Sequence, residues 1–166
     1  MEIIENTVEF HLNTETAAAV GKFDGVHIGH RRLLEEILNR KGQGLASCVF
    51  TFDPAPAVLF GYSDGKELTT MAEKRLLFGR MGVDIFIEFP LDRETAAMLP
   101  EVFARDVLAG EMNVRFLAAG HDLSFGSGGR GNAALLRKLA PELGFTVETI
   151  DKICLDGEAV SSTQLR

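Results

Sequence analysis

One stretch constrains this chain more than any other. A short apolar run, Ala17-Ala18-Ala19-Val20, leads into Gly21-Lys22-Phe23-Asp24-Gly25-Val26-His27-Ile28-Gly29-His30, and a helical pattern follows from Arg31 to Arg40. That order predicts a strand, a tight turn and a helix. Gly25 and Gly29 let the backbone adopt unusual dihedrals or approach a ligand closely. Gly29 falls at the expected helix start, where unpaired N–H groups and the helix dipole favour anions. His27 and His30 are three residues apart and share one face of a helical turn. Two imidazoles beside an anion-binding helix end suit the stabilisation of charge that develops in phosphoryl or nucleotidyl transfer. The same pair is open to a zinc reading and to a plain surface reading, but a convincing third and fourth zinc ligand is not nearby.

Bulk properties narrow the classes. A chain of 166 residues fits one domain, 1–166, with a sizeable core. Apolar residues make up 46%, which argues against disorder. The net charge of −7 and a pI near 5.1 argue against a nucleic-acid partner, which wants a basic face. A phosphate ligand remains compatible, because it needs only a few local cations and oriented N–H groups. No 18-residue apolar stretch predicts a membrane span, and Met1-Glu2-Ile3-Ile4-Glu5 does not read as a signal peptide. Cys48 and Cys154 read as reduced thiols, so the expected location is cytoplasmic.

Strand and helix patterns alternate, which predicts an α/β layer fold with a mainly parallel, five-stranded sheet flanked by helices. The expected strands are Ala17–Lys22, Leu45–Phe52, Ile85–Phe89, Phe116–Ala119 and Phe145–Ile150. The expected helices are Gly29–Arg40, Met71–Met81, Pro100–Ala109 and Asn132–Leu143, with Gly42, Gly44, Gly82 and Gly144 as stops. In such a fold the ligand crevice lies at the carboxyl ends of the strands, where the Asp24–His30 segment would sit.

Three further segments bear on chemistry. Ser161-Ser162-Thr163-Gln164-Leu165-Arg166 offers capping hydroxyls, and Arg166 is spaced to share a helical face with Ser162 and Thr163 and to reach phosphate oxygens. A simple capped terminal helix is the plainer alternative. One helical turn is poorly stable alone, so the native chain is expected to continue past Arg166. Gly126, Gly128 and Gly131 formally spell G-x-G-x-x-G, but six residues separate Ala119 from Gly126, whereas a dinucleotide fingerprint begins at the strand end. A mobile ligand-covering loop fits Gly120–Gly131 better. Thr51-Phe52-Asp53-Pro54-Ala55-Pro56 ends the second expected strand as a rigid turn or as a wall for a flat ligand, with Phe52, Phe60 and Phe125 as candidate apolar contacts.

Together these blocks resemble the N-terminal FMN adenylyltransferase module of bacterial bifunctional riboflavin kinase/FAD synthetases, within the nucleotidyltransferase superfamily. The resemblance covers Ala17 to Arg166. It rests on Gly21–His30, Thr51-Phe52-Asp53-Pro54, Leu68-Thr69-Thr70 with Glu73-Lys74, Gly82-Val83-Asp84, Gly120-x-Asp122 with Phe125-Gly126, and Ser161-Ser162-Thr163-x-x-Arg166. Two positions depart from it. Ala55 stands where members often carry histidine between two prolines, and Gly129 stands where many carry arginine, with Arg130 one place later. The family's riboflavin kinase module has no counterpart within these 166 residues and is expected, if at all, in a longer native chain.

The resemblance implies a Rossmann-like nucleotidyltransferase fold and the reaction ATP + FMN → FAD + pyrophosphate, with Mg²⁺. It implies His27, His30 and Arg166 as catalytic residues. Gly21, Lys22, Phe23, Asp24, Gly25 and Gly29 would bind the nucleotide, Ser162 and Thr163 its β and γ oxygens, and Pro54, Asp122 and Phe125 the flavin. An FMN phosphate with a second pKa of about 6 is already ionised at neutral pH and needs no general base. Competing readings are a non-catalytic flavin- or nucleotide-binding module, a nucleotidyltransferase with another phosphate acceptor, and a dinucleotide-dependent oxidoreductase built on Gly126–Gly131.

Overall fold

Strands covered on both faces need apolar side chains at every position, and this chain supplies them in short continuous runs. The computed structural model describes residues 1–5, 7, 9–21, 28–53, 71–120, 123–127 and 130–150, and for 28–30, 53, 71 and 150 the backbone alone. Six strands, β1 (Glu2–Glu5), β2 (Thr16–Val20), β3 (Ala46–Asp53), β4 (Ile85–Pro90), β5 (Val114–Gly120) and β6 (Thr146–Ile150), form one sheet in the order β1-β4-β3-β2-β5-β6. Every pairing is parallel. The helices are α1 (Ile28–Asn39), α2 (Met71–Met81), the short α3 (Arg93–Ala96), α4 (Pro100–Val102) and α5 (Ala133–Leu143).

The α/β parallel architecture matches the sequence reading, with one correction: the sheet has six strands, not five. The missed strand, β1, is four residues long at the sheet edge, and its glutamates Glu2 and Glu5 are exposed. An edge strand open on one side needs neither a long apolar run nor a strict alternation, so it left no pattern to read.

Helix ends follow local chemistry. Gly82 (φ 92°) ends α2: its N–H donates to Gly79 O at 3.2 Å and the N–H of Val83 to Phe78 O at 3.0 Å, the paired bonds of a Schellman cap. Asn132 lies outside α5 as its cap, its Oδ1 accepting the N–H of Leu135 at 2.9 Å. The helix expected over Pro100–Ala109 continues from α4 as a wider π-helix, Phe103–Glu111. That widening leaves no mark in a 3.6-residue periodicity.

The sheet divides the core into two layers. One holds Leu33, Leu34 and Ile37 of α1 and Phe78 of α2 against Ala17, Ala19, Val49, Phe86 and Ala118. The other holds the π-helix and α5 against Val20, Phe50, Ile87, Phe89 and Leu117. From β2 the chain steps outward through β3 to β4, then returns to place β5 on the other side of β2. The winding therefore reverses between β2 and β5, and at the carboxyl ends of the strands beside such a switch point doubly wound sheets place their ligand crevice.

Candidate active site

The parallel register fixes what meets at this crevice. Val20 pairs with Phe50 on one side and with Ala119 on the other. Thr51 pairs with Glu88, and Glu88 with Glu5. Gly21 follows Val20 directly, and its N–H donates to Phe50 O at 3.1 Å. Glu5, Glu88, Thr51, Gly21 and Gly120 thus form one row across the carboxyl edge. Side chains alternate between faces along a strand, so this row shares the α1/α2 face with Phe86, Val49, Ala19 and Ala118 two residues earlier. The two glycines fall at the switch point and themselves bring no side chain to it.

On this face the apolar core gives way to buried polar groups. Thr51, Lys74 and Glu88 are each 2% exposed. One guanidinium holds both oxygens of Glu88: Arg75 Nε donates to Oε2 at 2.5 Å and Nη2 to Oε1 at 2.6 Å. The same Nη2 reaches Glu5 Oε2 at 2.5 Å. Hydrogen bonding to Glu88, with a further contribution from Glu5, raises the Arg75 pKa above its ordinary value. An ion pair around a buried carboxylate is a poor source of net stability but a good means of fixing an orientation. Here it ties the edge strand, β4 and the first half of α2 into one unit.

The opposite face of the same edge is aromatic. Phe50 lies 5.3 Å from Phe52, 5.3 Å from Phe89 and 5.6 Å from Phe103, centroid to centroid. Phe103 in turn lies 5.4 Å from Phe125. Most of these rings are buried, and Phe52 is half-buried.

Beyond β5 the described parts of the glycine-rich segment are anchored. Phe125 and Gly131 form an antiparallel bridge, and the N–H of Ser127 donates to Met98 O at 2.8 Å. Gly126 (φ 75°) lies against Pro100, where a Cβ would come within 2.8 Å of the proline ring. A Cβ on Gly131 would come within 2.7 Å of the Phe125 ring. Arg130 Nη2 donates to Ser127 Oγ at 2.7 Å. So the expected mobile loop is, in its described residues, a turn fastened to the Met98–Pro100 corner. Gly126 and Gly131 serve packing, and Gly126 stands six residues past the end of β5. The oxidoreductase reading loses the feature on which it stood.

The expected site residues fall as follows. Gly21 stands at the end of β2, and Gly29 and His30 lie in the first turn of α1. Phe125 is 4% exposed, with its ring in the aromatic cluster. Lys22, Phe23, Asp24, Gly25, His27, Pro54, Asp122, Ser162, Thr163 and Arg166 lie outside the described residues, as do Ala55, Phe60, Gly129 and Cys154. Cys48 is a buried free thiol, and burial raises its pKa. Sequence reasoning missed the Arg75–Glu88–Glu5 clamp and the parts played by Phe89 and Phe103. The signal for the first was present: Glu88 interrupts Ile85-Phe86-Ile87-x-Phe89, a run otherwise apolar throughout.

Among the described residues no three His, Cys, Asp or Glu side chains gather as a metal cage. No helix among the described residues is long and apolar enough to cross a membrane.

Fold and edge together define a doubly wound α/β domain with a switch point between β2 and β5. A family model described as FAD synthetase matches residues 9–164. The chain belongs to the FAD synthetase family. It is 36% identical over 149 residues to the bifunctional riboflavin kinase/FMN adenylyltransferase of Escherichia coli (strain K12), covering 89% of this chain and 48% of that one. It is 34% identical over 152 residues to the protein of the same name from Haemophilus influenzae, covering 90% and 49%. A putative bifunctional riboflavin kinase/FMN adenylyltransferase of Geobacillus thermodenitrificans is 36% identical over 152 residues, covering 91% and 80%. The chain thus spans about half the length of the first two relatives. Among solved structures, a Streptococcus pneumoniae protein titled macrolide-efflux protein superposes with a TM-score of 0.82 at 22% identity, over 98% of this chain and 53% of that one; it shares the fold.

Proposed function

We propose that this chain transfers the AMP moiety of ATP to the phosphate of FMN, giving FAD and pyrophosphate. The observation that carries the reading is the match of residues 9–164 to the FAD synthetase family, a range that includes His27 and His30. The relatives are named for two activities, and only adenylyl transfer is proposed for these 166 residues.

In this reading the two faces of the carboxyl edge divide the substrates. The α1/α2 face, with its glycines, hydroxyl and helix N-terminus, takes the triphosphate of ATP. The aromatic face supports the flavin ring through Phe52 at its rim, with Phe103 and Phe125 behind. Gly21, Lys22, Phe23, Asp24, Gly25 and Gly29 line the nucleotide side; Pro54 and Asp122 contact the flavin. His27 and His30 hold the triphosphate and neutralise the charge that grows as pyrophosphate leaves. Ser162, Thr163 and Arg166 grip the β and γ oxygens. The FMN phosphate attacks the α-phosphorus in line; already ionised, it needs no base, so catalysis is positioning plus charge stabilisation. Mg²⁺, when bound with ATP, would add positive charge to the phosphates. The enzyme would work in the cytoplasm on these two small molecules, without nucleic acid.

Incubating the chain with FMN, ATP and Mg²⁺ and separating the products by chromatography tests the reading. FAD and pyrophosphate in equal amounts are expected. ATP and FMN that bind but remain unchanged would favour the non-catalytic module, and AMP transfer to another phosphate acceptor would move the chain to a different branch of the superfamily.

A further inference from the structure

The glycine-rich segment after β5 carries no phosphate fingerprint at a strand end, yet its glycines cannot be exchanged freely. Phe125 and Gly131 share both backbone hydrogen bonds of their bridge: Phe125 N–H donates to Gly131 O at 3.1 Å and Gly131 N–H to Phe125 O at 2.8 Å. The Phe125 ring lies against Gly131. A Cβ on Gly131 would come within 2.7 Å of the ring atoms Cε2 and Cζ and of the Phe125 carbonyl oxygen. Gly131 lies outside the left-handed region, so space, not backbone conformation, calls for glycine there.

The turn is not free to drift outward and make room. On one side Gly126 lies against Pro100, and the N–H of Ser127 donates to Met98 O at 2.8 Å. On the other side Asn132 follows Gly131 directly and caps α5. From Phe125 a chain of rings leads to the rim: Phe103 lies 5.4 Å away, and Phe52, half-buried, lies 6.0 Å from Phe103. Close-packed side chains pass a displacement on to their neighbours.

We infer that Gly131 is a positioning residue for the flavin: its bare backbone seats Phe125, which in turn seats Phe103 and the rim ring Phe52. The inference rests on the reading above, in which the aromatic face carries the flavin. It gives the Gly126–Gly131 segment a role other than the dinucleotide fingerprint that it spells. Gly126 fixes where the turn stands, and Gly131 fixes where its ring stands. A turn that served the fold alone would tolerate a small shift of one ring edge; a ring that shapes a ligand surface would not.

The test titrates FMN and ATP separately against the full chain, Gly131→Ala and, as a control, Gly144→Ala, with thermal unfolding followed in parallel. Gly144 ends α5 in the left-handed region (φ 82°), where a Cβ would meet nothing closer than Arg115 Nη1 at 3.4 Å. Gly131→Ala is expected to weaken FMN about tenfold, the affinity equivalent of modest overpacking, and to leave ATP unchanged. Gly144→Ala is expected to lower Tm and leave both affinities unchanged. Added to Phe125→Leu, Gly131→Ala should weaken FMN less than it does alone, because the ring edge it displaces is gone. Gly131→Ala with FMN affinity unchanged, an equal loss for both ligands, or full additivity with Phe125→Leu would overturn the inference in favour of a packing glycine. If Gly131→Ala does not fold, Phe125→Leu decides: weaker FMN with ATP unchanged supports the inference, and a lower Tm with FMN unchanged overturns it. A wild type that binds ATP but not FMN sinks the flavin reading and the inference together. A wild type that binds FMN, matched by Gly131→Ala, sinks the inference alone.

Discussion

Thr51 and Phe52 are adjacent in the chain, yet they open onto different chemistry. Thr51 joins a row of two glutamates, a hydroxyl and two glycines beneath the start of α1; Phe52 joins a cluster of five phenylalanines over the π-helix. Deeper in the sheet the two layers are alike, both apolar and both closed. They diverge only at the carboxyl edge, within two residues of the strand ends. The difference teaches that a parallel sheet can present two unlike surfaces to one crevice simply by changing residue type at its last positions. A substrate with a charged end and a flat apolar end, such as FMN meeting ATP, matches that division.

The comparison can be broken at several points. The largest effect is expected on the aromatic face: Phe103→Ala should cost about 3–5 kcal/mol of stability, the usual toll for a buried ring, because Phe103 contacts Phe50, Phe52, Phe89 and Phe125. Denaturant unfolding reads it, and a loss under 1 kcal/mol would show the cluster to be loosely packed. For the proposed chemistry, His27→Ala and His30→Ala should each lower kcat about 10²–10³-fold, the typical effect of removing one charge-stabilising donor. Their melting temperatures should stay near wild type. Near-normal turnover in either variant would remove that histidine from the catalytic set.

The clamp gives a smaller, sharper test. Arg75→Met leaves Glu88 buried without its guanidinium. A fully buried pair would cost 3–5 kcal/mol to break in this way. Arg75 is about a third exposed and water can reach the site, so about 2 kcal/mol is expected. Adding Glu88→Leu should recover most of the loss. No recovery in the double variant would mean that the clamp matters through Glu5 or through packing.

The smallest effect lies outside both faces and serves as a control. Glu111 Oε2 accepts the N–H of Phe10 at 3.0 Å. Its folded pKa is raised, first by burial and then by the nearby charges of Asp106 and Glu9, although the bond from Phe10 acts the other way. A carboxyl with a folded pKa above its unfolded one destabilises the native state once pH exceeds both values, and the penalty vanishes below them. Glu111→Gln should therefore stabilise modestly at neutral pH, and the gain should fade as pH drops through the carboxylate range, with turnover unchanged. A gain independent of pH would contradict the assigned cause.

Much of the fold was legible because buried parallel strands write themselves as apolar runs, and Gly44, Gly82 and Gly144 mark helix ends by needing positive φ. The β1 strand was not, since an exposed edge demands little of its residues. The candidate site was legible in part. Its histidine segment is local: β2 and α1, which flank it, come from one short stretch. The polar row is not: Glu5, Thr51 and Glu88 meet only through strand register, and register across crossovers depends on the whole sheet. The packing glycines misled for a related reason, since Gly126 and Gly131 are fixed by Pro100 and Phe125 and not by the residues between them.

The central claim is that the two faces of the carboxyl edge bind different substrates, and neighbouring residues on β3 test it most directly. ATP and FMN should be titrated separately against Thr51→Val and Phe52→Leu. Thr51→Val is expected to weaken ATP about threefold to tenfold, the value of one hydroxyl hydrogen bond, and to leave FMN unchanged. Phe52→Leu is expected to weaken FMN by a similar factor through lost aromatic contact and to leave ATP unchanged. If both substitutions act on the same ligand, or each acts on both alike, the division of the crevice into a phosphate face and a flavin face is wrong.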